Sequence, residues 1–325
     1  MTKCIFVIIF IIGRVYNPPL TKKGVKKVNK TSSEVQATID AVKLKDLSKN
    51  APELFGVKTG VDGIDKLFYK VEFSKETGKP IIKPLGGIPA YSVINLSGVA
   101  DTGKSLFAEQ FAVTQANEGN SVLYITVETP AEFLYSSLLS RAAAMNIDKS
   151  KVEENVYMLD ITKDFNIRGN INNFIKTIEN AATRFDIKNV VIDSVTGLFE
   201  SKEIYAREIV RTIYNFLKSK RLTTLMISQK RSGQEHLSAE AAGGYAVSHI
   251  VDGTIVFSKQ VIMNKFDSST FKRPIGDVIR LLRVDGCRMC GHDSKTYVFE
   301  IEQNGLIKVL YPLGSLSNQQ LESKE

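Results

Sequence analysis

From Gly87 onward, short apolar runs alternate with longer stretches in which apolar residues recur every three or four positions. Runs of four to eight apolar residues bounded by turn residues mark buried strands, and the 3.6-residue period marks helices packed on them. The pattern predicts strands at Ser92–Leu96, Val122–Thr126, Val156–Asp160, Asn189–Ile192 and Thr223–Ile227. Helices are predicted at Lys104–Glu118, Ala131–Met145, Ile171–Phe185 and Lys202–Lys220. Such alternation builds an α/β domain whose central sheet is mostly parallel and flanked by helices. After Val251 the helical period stops and strands alone follow, at Gly253–Phe257, Val278–Val284, Thr296–Glu300 and Leu306–Val309. These predict an antiparallel C-terminal extension of the same sheet and not a second domain.

Upstream the pattern is weaker. Cys4–Ile12 is an unbroken apolar run, far below the ~20 residues that span a bilayer, so no stable membrane insertion is expected. It has the length of a signal-peptide core, yet no small-x-small cleavage site follows, and the run reads as an extension outside the fold, an anchor or a misassigned start. Residues 13–31, with Asn17-Pro18-Pro19 and a lysine cluster, read as a linker. Val35, Ile39, Val42 and Leu47 predict a short amphipathic helix within 32–50, and the polar stretch Lys70–Lys83 predicts a surface hairpin or insertion. The domain proper is therefore expected over 51–312, with a polar tail at 313–325.

Composition changes this picture little, whereas the position of the charge matters. The chain carries +8 at pH 7, with ten Lys/Arg against three Asp/Glu in residues 1–50 and 33 against 32 in the remainder. The basic character belongs to the arm, including Lys22, Lys23, Lys26, Lys27 and Lys30, and the body is nearly neutral. A basic arm can collect phosphate-bearing partners or simply be solvated. Three cysteines in 325 residues make no disulfide framework, which fits a reducing, cytoplasmic setting.

One octapeptide carries definite chemistry. Gly98-Val99-Ala100-Asp101-Thr102-Gly103-Lys104-Ser105 matches G-x-x-x-x-G-K-[ST], between a predicted strand and a predicted helix. Glycines let the backbone turn so that successive N–H groups face a phosphate, Lys104 supplies a point charge, and Ser105 can offer its hydroxyl to Mg²⁺. The expected cofactors are ATP and Mg²⁺. Val190-Val-Ile-Asp193 is an apolar strand ending in a carboxylate suited to the Mg²⁺ shell. Glu128 follows the next strand after the loop's helix, as a base for the attacking water or as a helix-entry carboxylate before Pro130. Gln229 follows the strand at Thr223, as a γ-phosphate sensor or a plain surface residue.

These elements in this order resemble the RecA superfamily, in which the base comes from the strand that Glu128 follows. Two further stretches narrow the resemblance to KaiC-like ATPases over residues 50–312, closest to archaeal single-domain members. One is Val57-Lys-Thr-Gly-Val-Asp-Gly-Ile-Asp-Lys-Leu with Gly86-Gly87-Ile88-Pro89. The other is Arg283–Ile301, similar to the family's interface segment. The resemblance implies a RecA-like P-loop fold, ATP hydrolysis and a homo-oligomeric, hexamer-like ring. There a basic residue, Arg288 with Arg283 and Lys295 as alternatives, reaches the neighbouring subunit's nucleotide. The chain departs from the clock protein: it has one such domain, Thr129 follows Glu128 in place of a second carboxylate, and Gly286 and Met289 stand at family lysine and glycine positions. Autokinase activity is not implied.

Ala241-Ala-Gly243-Gly244 resembles the glycine pair closing a DNA-binding loop in RadA-like recombinases, with Lys230-Arg231 where that loop begins. That stretch could track single-stranded DNA, line a ring's channel, or couple nucleotide state to a protein partner. Cys287-Arg-Met-Cys290-Gly-His292 has metal-ligand spacing but only half of a closed zinc set. It reads as a site shared across subunits, a redox pair, or two small residues on a strand–turn. Three functions follow: an ATP-hydrolysing ring, an ATP-controlled single-stranded-DNA binder, or a non-hydrolysing switch.

Overall fold

The computed structural model describes residues 41–199, 204–230 and 246–315. Contacts divide the chain after Pro52, and residues from Glu53 form one compact unit. In the first unit the described helix is only α1 (Leu44–Leu47), none of whose residues is buried. Val42 and Leu47 are exposed, while Val35 and Ile39, the other apolar positions of the helix expected there, lie outside the described residues. One helical turn has too few hydrogen bonds to stabilise itself.

The second unit opens with four short strands: β1 (Gly56–Val57), β2 (Phe68–Phe73), β3 (Pro80–Pro84) and β4 (Ile88–Pro89). β2 and β3 form the expected hairpin, with Tyr69 opposite Pro84 and Phe73 opposite Pro80. The α/β succession then runs β5 (Val93–Gly98), α2 (Lys104–Asn117), β6 (Val122–Thr126), α3 (Ala131–Ala144), α4 (Lys149–Asn155) and β7 (Val156–Asp160). It continues through α5 (Phe165–Arg168), α6 (Ile171–Arg184), β8 (Asn189–Asp193), α7 (Thr196–Phe199), α8 (Ala206–Ser219) and β9 (Thr223–Gln229). The remainder is α9 (Ala246–Ile250), β10 (Gly253–Val261), α10 (Lys265–Phe271), β11 (Val278–Cys287), β12 (Gly291–His292), β13 (Thr296–Ile301) and β14 (Ile307–Pro312).

Nine strands form the central sheet in the order β14-β13-β11-β10-β5-β9-β8-β6-β7. β5 through β9 are parallel, as expected. β10 also runs parallel to β5, so the antiparallel extension begins one strand later than the pattern predicts, at β11. β10 opens with Gly253 level with Ile94, near the start of β5.

Side chains alternate across each strand. Ile94, Leu96, Tyr124, Val191, Leu225 and Ile227 therefore pack with Phe107 and Phe111 of α2 on one face. Val93, Leu123, Ile125, Val190, Ile192 and Met226 pack with Phe174 of α6 and Val210, Ile213 and Leu217 of α8 on the other. Burial on both faces is why these strands read as continuous apolar runs.

The entry segment clips onto α2. Thr59 donates to Asp65 through its N–H and hydroxyl (2.9 and 2.7 Å), bending the chain at Gly60, where φ is 73°. A Cβ on Gly60 would lie 1.9 Å from Thr114 Oγ1. Gln110 and Gln115 of α2 donate to the carbonyls of Gly60 and Lys58 (3.2 and 2.8 Å). The helix that starts at the phosphate loop is thus held along its length. Among the described residues no helix is long and apolar enough to cross a membrane.

Candidate nucleotide-binding site

Parallel strands bring their C-terminal ends to one edge, where ligands of open α/β sheets bind. β5 ends there at Gly98, directly beside Gln229 of β9. The backbone approaches closely: a Cβ on Gly98 would stand 2.5 Å from the carbonyl oxygen of Phe257. Asp101 and Gly103 adopt positive φ (57° and 96°), reversing the chain into α2. The Thr102 hydroxyl donates to Val99 O at 2.9 Å, and Lys104 Nζ donates to the same carbonyl at 2.7 Å. No side chain caps the N-terminus of α2 and no acidic residue lies in its first turn. Its first N–H groups are left for an anion, which the helix dipole also favours.

Lys104 is 6% exposed. Burial lowers its pKa to about 8, against the opposing pull of Asp193, Glu128 and Asp101. A buried ammonium resting on a carbonyl is a cation awaiting a better partner.

Asp193 ends β8, paired with Thr126 of β6. Burial raises its pKa, while hydrogen bonds from Ser105 and Tyr124 pull it down. The Tyr124 hydroxyl, fully buried, donates to Asp193 Oδ2 at 3.3 Å. Glu128 sits just beyond β6 with its side chain exposed. Two donors fix it: Ser194 Oγ at 2.6 Å from Oε1, and Gln229 Nε2 at 3.3 and 3.1 Å from the two oxygens. Gln229 is itself anchored, its N–H donating to Thr196 Oγ1 at 3.0 Å. The residues singled out as base and sensor therefore touch each other, at the edge that also holds the loop.

Sequence reasoning missed Tyr124, Ser194, Thr196 and Lys259. Lys259 Nζ lies 3.5 Å from Asp101 Oδ2 across the loop. Tyr124 lies within a strand pattern that accounts for it without a polar role, and Lys259 lies beyond the predicted strand Gly253–Phe257, on the part of β10 the pattern did not reach. Ser194 follows the strand-ending Asp193, the one local signal that could have drawn attention to it.

Arg288 lies elsewhere. Cys287 pairs with Gly253, which is level with Ile94 of β5. Four residues of strand, roughly 13 Å, separate that level from Gly98. Arg288 donates to His249 O (2.5 Å) and Ile250 O (3.4 Å), at the C-terminal end of α9. Arg283 pairs with Asp285 in its own strand, and Lys295 donates its N–H to Asp293 Oδ1 at 2.8 Å. These contacts lie away from the chain's own phosphate loop. Lys230 begins its segment beside the loop, its N–H donating to Gly98 O at 3.2 Å. Arg231, Gly243 and Gly244 lie outside the described residues. Among the described residues no three His, Cys, Asp or Glu side chains are grouped to hold a metal, so Cys287, Cys290 and His292 do not form a site together.

Comparison with known proteins places the fold in a family. The family model of the KaiC ATPase matches residues 57–313. The chain is 28% identical over 273 residues to UPF0273 protein PH0284 of Pyrococcus horikoshii, covering 79% of this chain and 94% of that protein. A UPF0273 protein of Thermotoga maritima is 25% identical, with 79% and 96% covered. The circadian clock oscillator protein KaiC of Parathermosynechococcus lividus is 25% identical over 73% of this chain and 42% of its own length. Among solved structures, KaiC-like protein PH0186 of Pyrococcus horikoshii matches with a TM-score of 0.60 at 24% identity, covering 80% of this chain and 100% of that one, a likeness of fold. With the family match spanning most of the chain and the RecA-like sheet carrying a P-loop at its C-terminal edge, the chain belongs to the KaiC ATPase family of the RecA superfamily.

Proposed function

We propose that this chain hydrolyses ATP with Mg²⁺, within a ring of identical copies in which a basic residue of one copy completes the next copy's site. The observation that carries the reading is the Glu128 carboxylate held by Ser194 and Gln229 at the strand edge beside Lys104 and Asp193. A carboxylate fixed by two donors is oriented to accept a proton from an attacking water. Gln229, bonded to Glu128 and level with Gly98, is placed to couple the γ-phosphate's presence to the base. Lys104 and the first N–H groups of α2 would bind the phosphates and stabilise charge shifting toward the leaving group.

Ser105 and Asp193, which interact across the start of α2, are hard oxygen donors that fit Mg²⁺, and these two residues would hold it. The ion, when bound, neutralises phosphate charge. Arg288 is our choice for the residue acting on a neighbour. It is exposed, and its local contacts are backbone carbonyls that a phosphate could replace.

The test is phosphate release by the full chain. It is expected to require Mg²⁺ and to fall by about 10²–10³-fold in Lys104→Ala. Mixing Lys104→Ala with Arg288→Ala is expected to restore part of the turnover, since a mixed ring contains sites with both residues. Wild-type turnover no faster than that of Lys104→Ala would leave a non-hydrolysing switch. Lack of rescue would move the neighbour's contribution to another residue.

A further inference from the structure

The dithiol at the end of β11 takes no part in the chemistry above. Cys287 closes that strand and Cys290 directly precedes β12. Their sulfurs are 3.6 Å apart, in hydrogen-bond contact, and neither is disulfide-bonded. Bonded sulfurs stand about 2.05 Å apart, so closure needs the pair to approach by roughly 1.5 Å. Small side-chain rotations and a slight tightening of the Arg288–Met289 turn supply that.

Both ends of the turn are fixed by other elements. Cys287 pairs with Gly253, the Arg288 N–H donates to Asp252 O at 2.7 Å, and Gly291 pairs with Tyr69. A Cβ on Gly291 would fall 2.1 Å from the Tyr69 ring, so the ring lies flush against the backbone beside Cys290. The sulfurs are therefore held together by the fold and not by a passing loop conformation.

Access and asymmetry complete the site. Cys287 lines a cavity of about 590 Å³ that also contains Arg283, Arg288, Asp252 and His292. That volume admits a small disulfide, and the Arg288 guanidinium, bonded to backbone carbonyls, suits one bearing a carboxylate, while Arg283 is held by Asp285. The two thiols are unequal. The hydrogen bond with Cys290 and backbone N–H groups of Met289 and Cys290 hold the Cys287 thiol below the usual range, against its burial. The same bond and burial push Cys290 up. The thiolate is the nucleophile, so Cys287 attacks first.

We propose that Cys287 and Cys290 form a reversible thiol–disulfide site for small carboxylate-bearing disulfides and thiols, closing the turn that carries Arg288. The Cys287 thiolate attacks one sulfur of the small disulfide, forming a mixed disulfide and releasing one small thiolate. Cys290 then loses its proton to solvent and attacks Cys287 Sγ. The protein disulfide forms and the second small thiolate leaves. Two protein thiols are oxidised and one small disulfide is reduced to two thiols.

The test uses the full chain carrying Cys4→Ser, equilibrated with mixtures of oxidised and reduced glutathione, then alkylated and weighed intact. The expected result is joint loss of two alkylatable thiols, giving a mass about 2 Da below that of the unalkylated reduced chain, with no glutathione retained. The Cys290→Ser variant is expected to accumulate one glutathione adduct on Cys287. Cys287→Ser should form its adduct at Cys290 more slowly, because Cys287 lines the cavity and Cys290 does not. The inference is overturned by thiols that stay alkylatable in oxidising mixtures that close them in the unfolded chain. Equal adduct rates in the two variants would overturn the assigned roles. Neither readout involves ATP, so the outcome is independent of the proposed hydrolysis.

Discussion

Raising the pH from 7 to 9 is expected to weaken ATP binding about tenfold through Lys104. In the folded chain without nucleotide, burial lets Lys104 lose its proton near pH 8, against 10.5 for an unperturbed lysine. Between those values the unfolded chain binds more protons. The lysine's contribution to stability is therefore fully present above about pH 10.5 and lost as pH falls through about 8. Phosphates reverse the preference, since their charge returns the ammonium to at least its ordinary pKa. At pH 9, recharging a group that titrates near 8 costs about 1.4 kcal/mol, and at pH 7 almost nothing. Titration calorimetry in buffers of different ionisation heat checks this directly. At pH 8 binding should take up about half a proton, and in Lys104→Met the uptake and the pH dependence should both vanish. Equal affinity at pH 7 and 9, with no buffer-dependent heat at pH 8, would refute the reasoning.

Two further changes probe the architecture around the loop. Ser194→Ala removes the 2.6 Å hydrogen bond to Glu128 and leaves the phosphate cradle intact. Turnover should drop about tenfold with ATP affinity unchanged, and Ser194→Thr should retain most of the rate. Gly98→Ala drives a methyl to 2.5 Å from the Phe257 carbonyl, where only backbone movement can relieve it. It should cost about 1–3 kcal/mol, seen as a lower Tm together with weakened ATP binding. A Tm equal to wild type would contradict the close approach.

The phosphate edge was legible because each of its residues sits where a buried apolar run ends. Gly98, Asp193 and Gln229 each close a strand, and parallel strands must bring those ends together. What escaped notice lies inside such runs or depends on distant partners. Tyr124 reads as a strand aromatic, and only its register beside Val191 carries its hydroxyl to Asp193. α4, α5 and α10 are too short for a period, although Asp148, Asp164 and Asn264 cap them through their side chains. The direction of β10 depends on which end of β5 it starts beside, a non-local pairing of Gly253 with Ile94 that local pattern does not carry. Arg288 was singled out for a role toward a neighbour. Its partners within the chain, two carbonyls nearly forty positions away, leave no trace in local pattern.

The central claim, that this edge binds ATP and that Glu128 then activates the water, is met most directly by comparing wild type with Glu128→Gln at saturating Mg²⁺-ATP. Nucleotide binding and phosphate release are measured on the same samples. The account predicts ATP affinity within a fewfold of wild type and phosphate release slower by about 10²–10⁴-fold. Unchanged release in Glu128→Gln, at equal nucleotide occupancy, would contradict it.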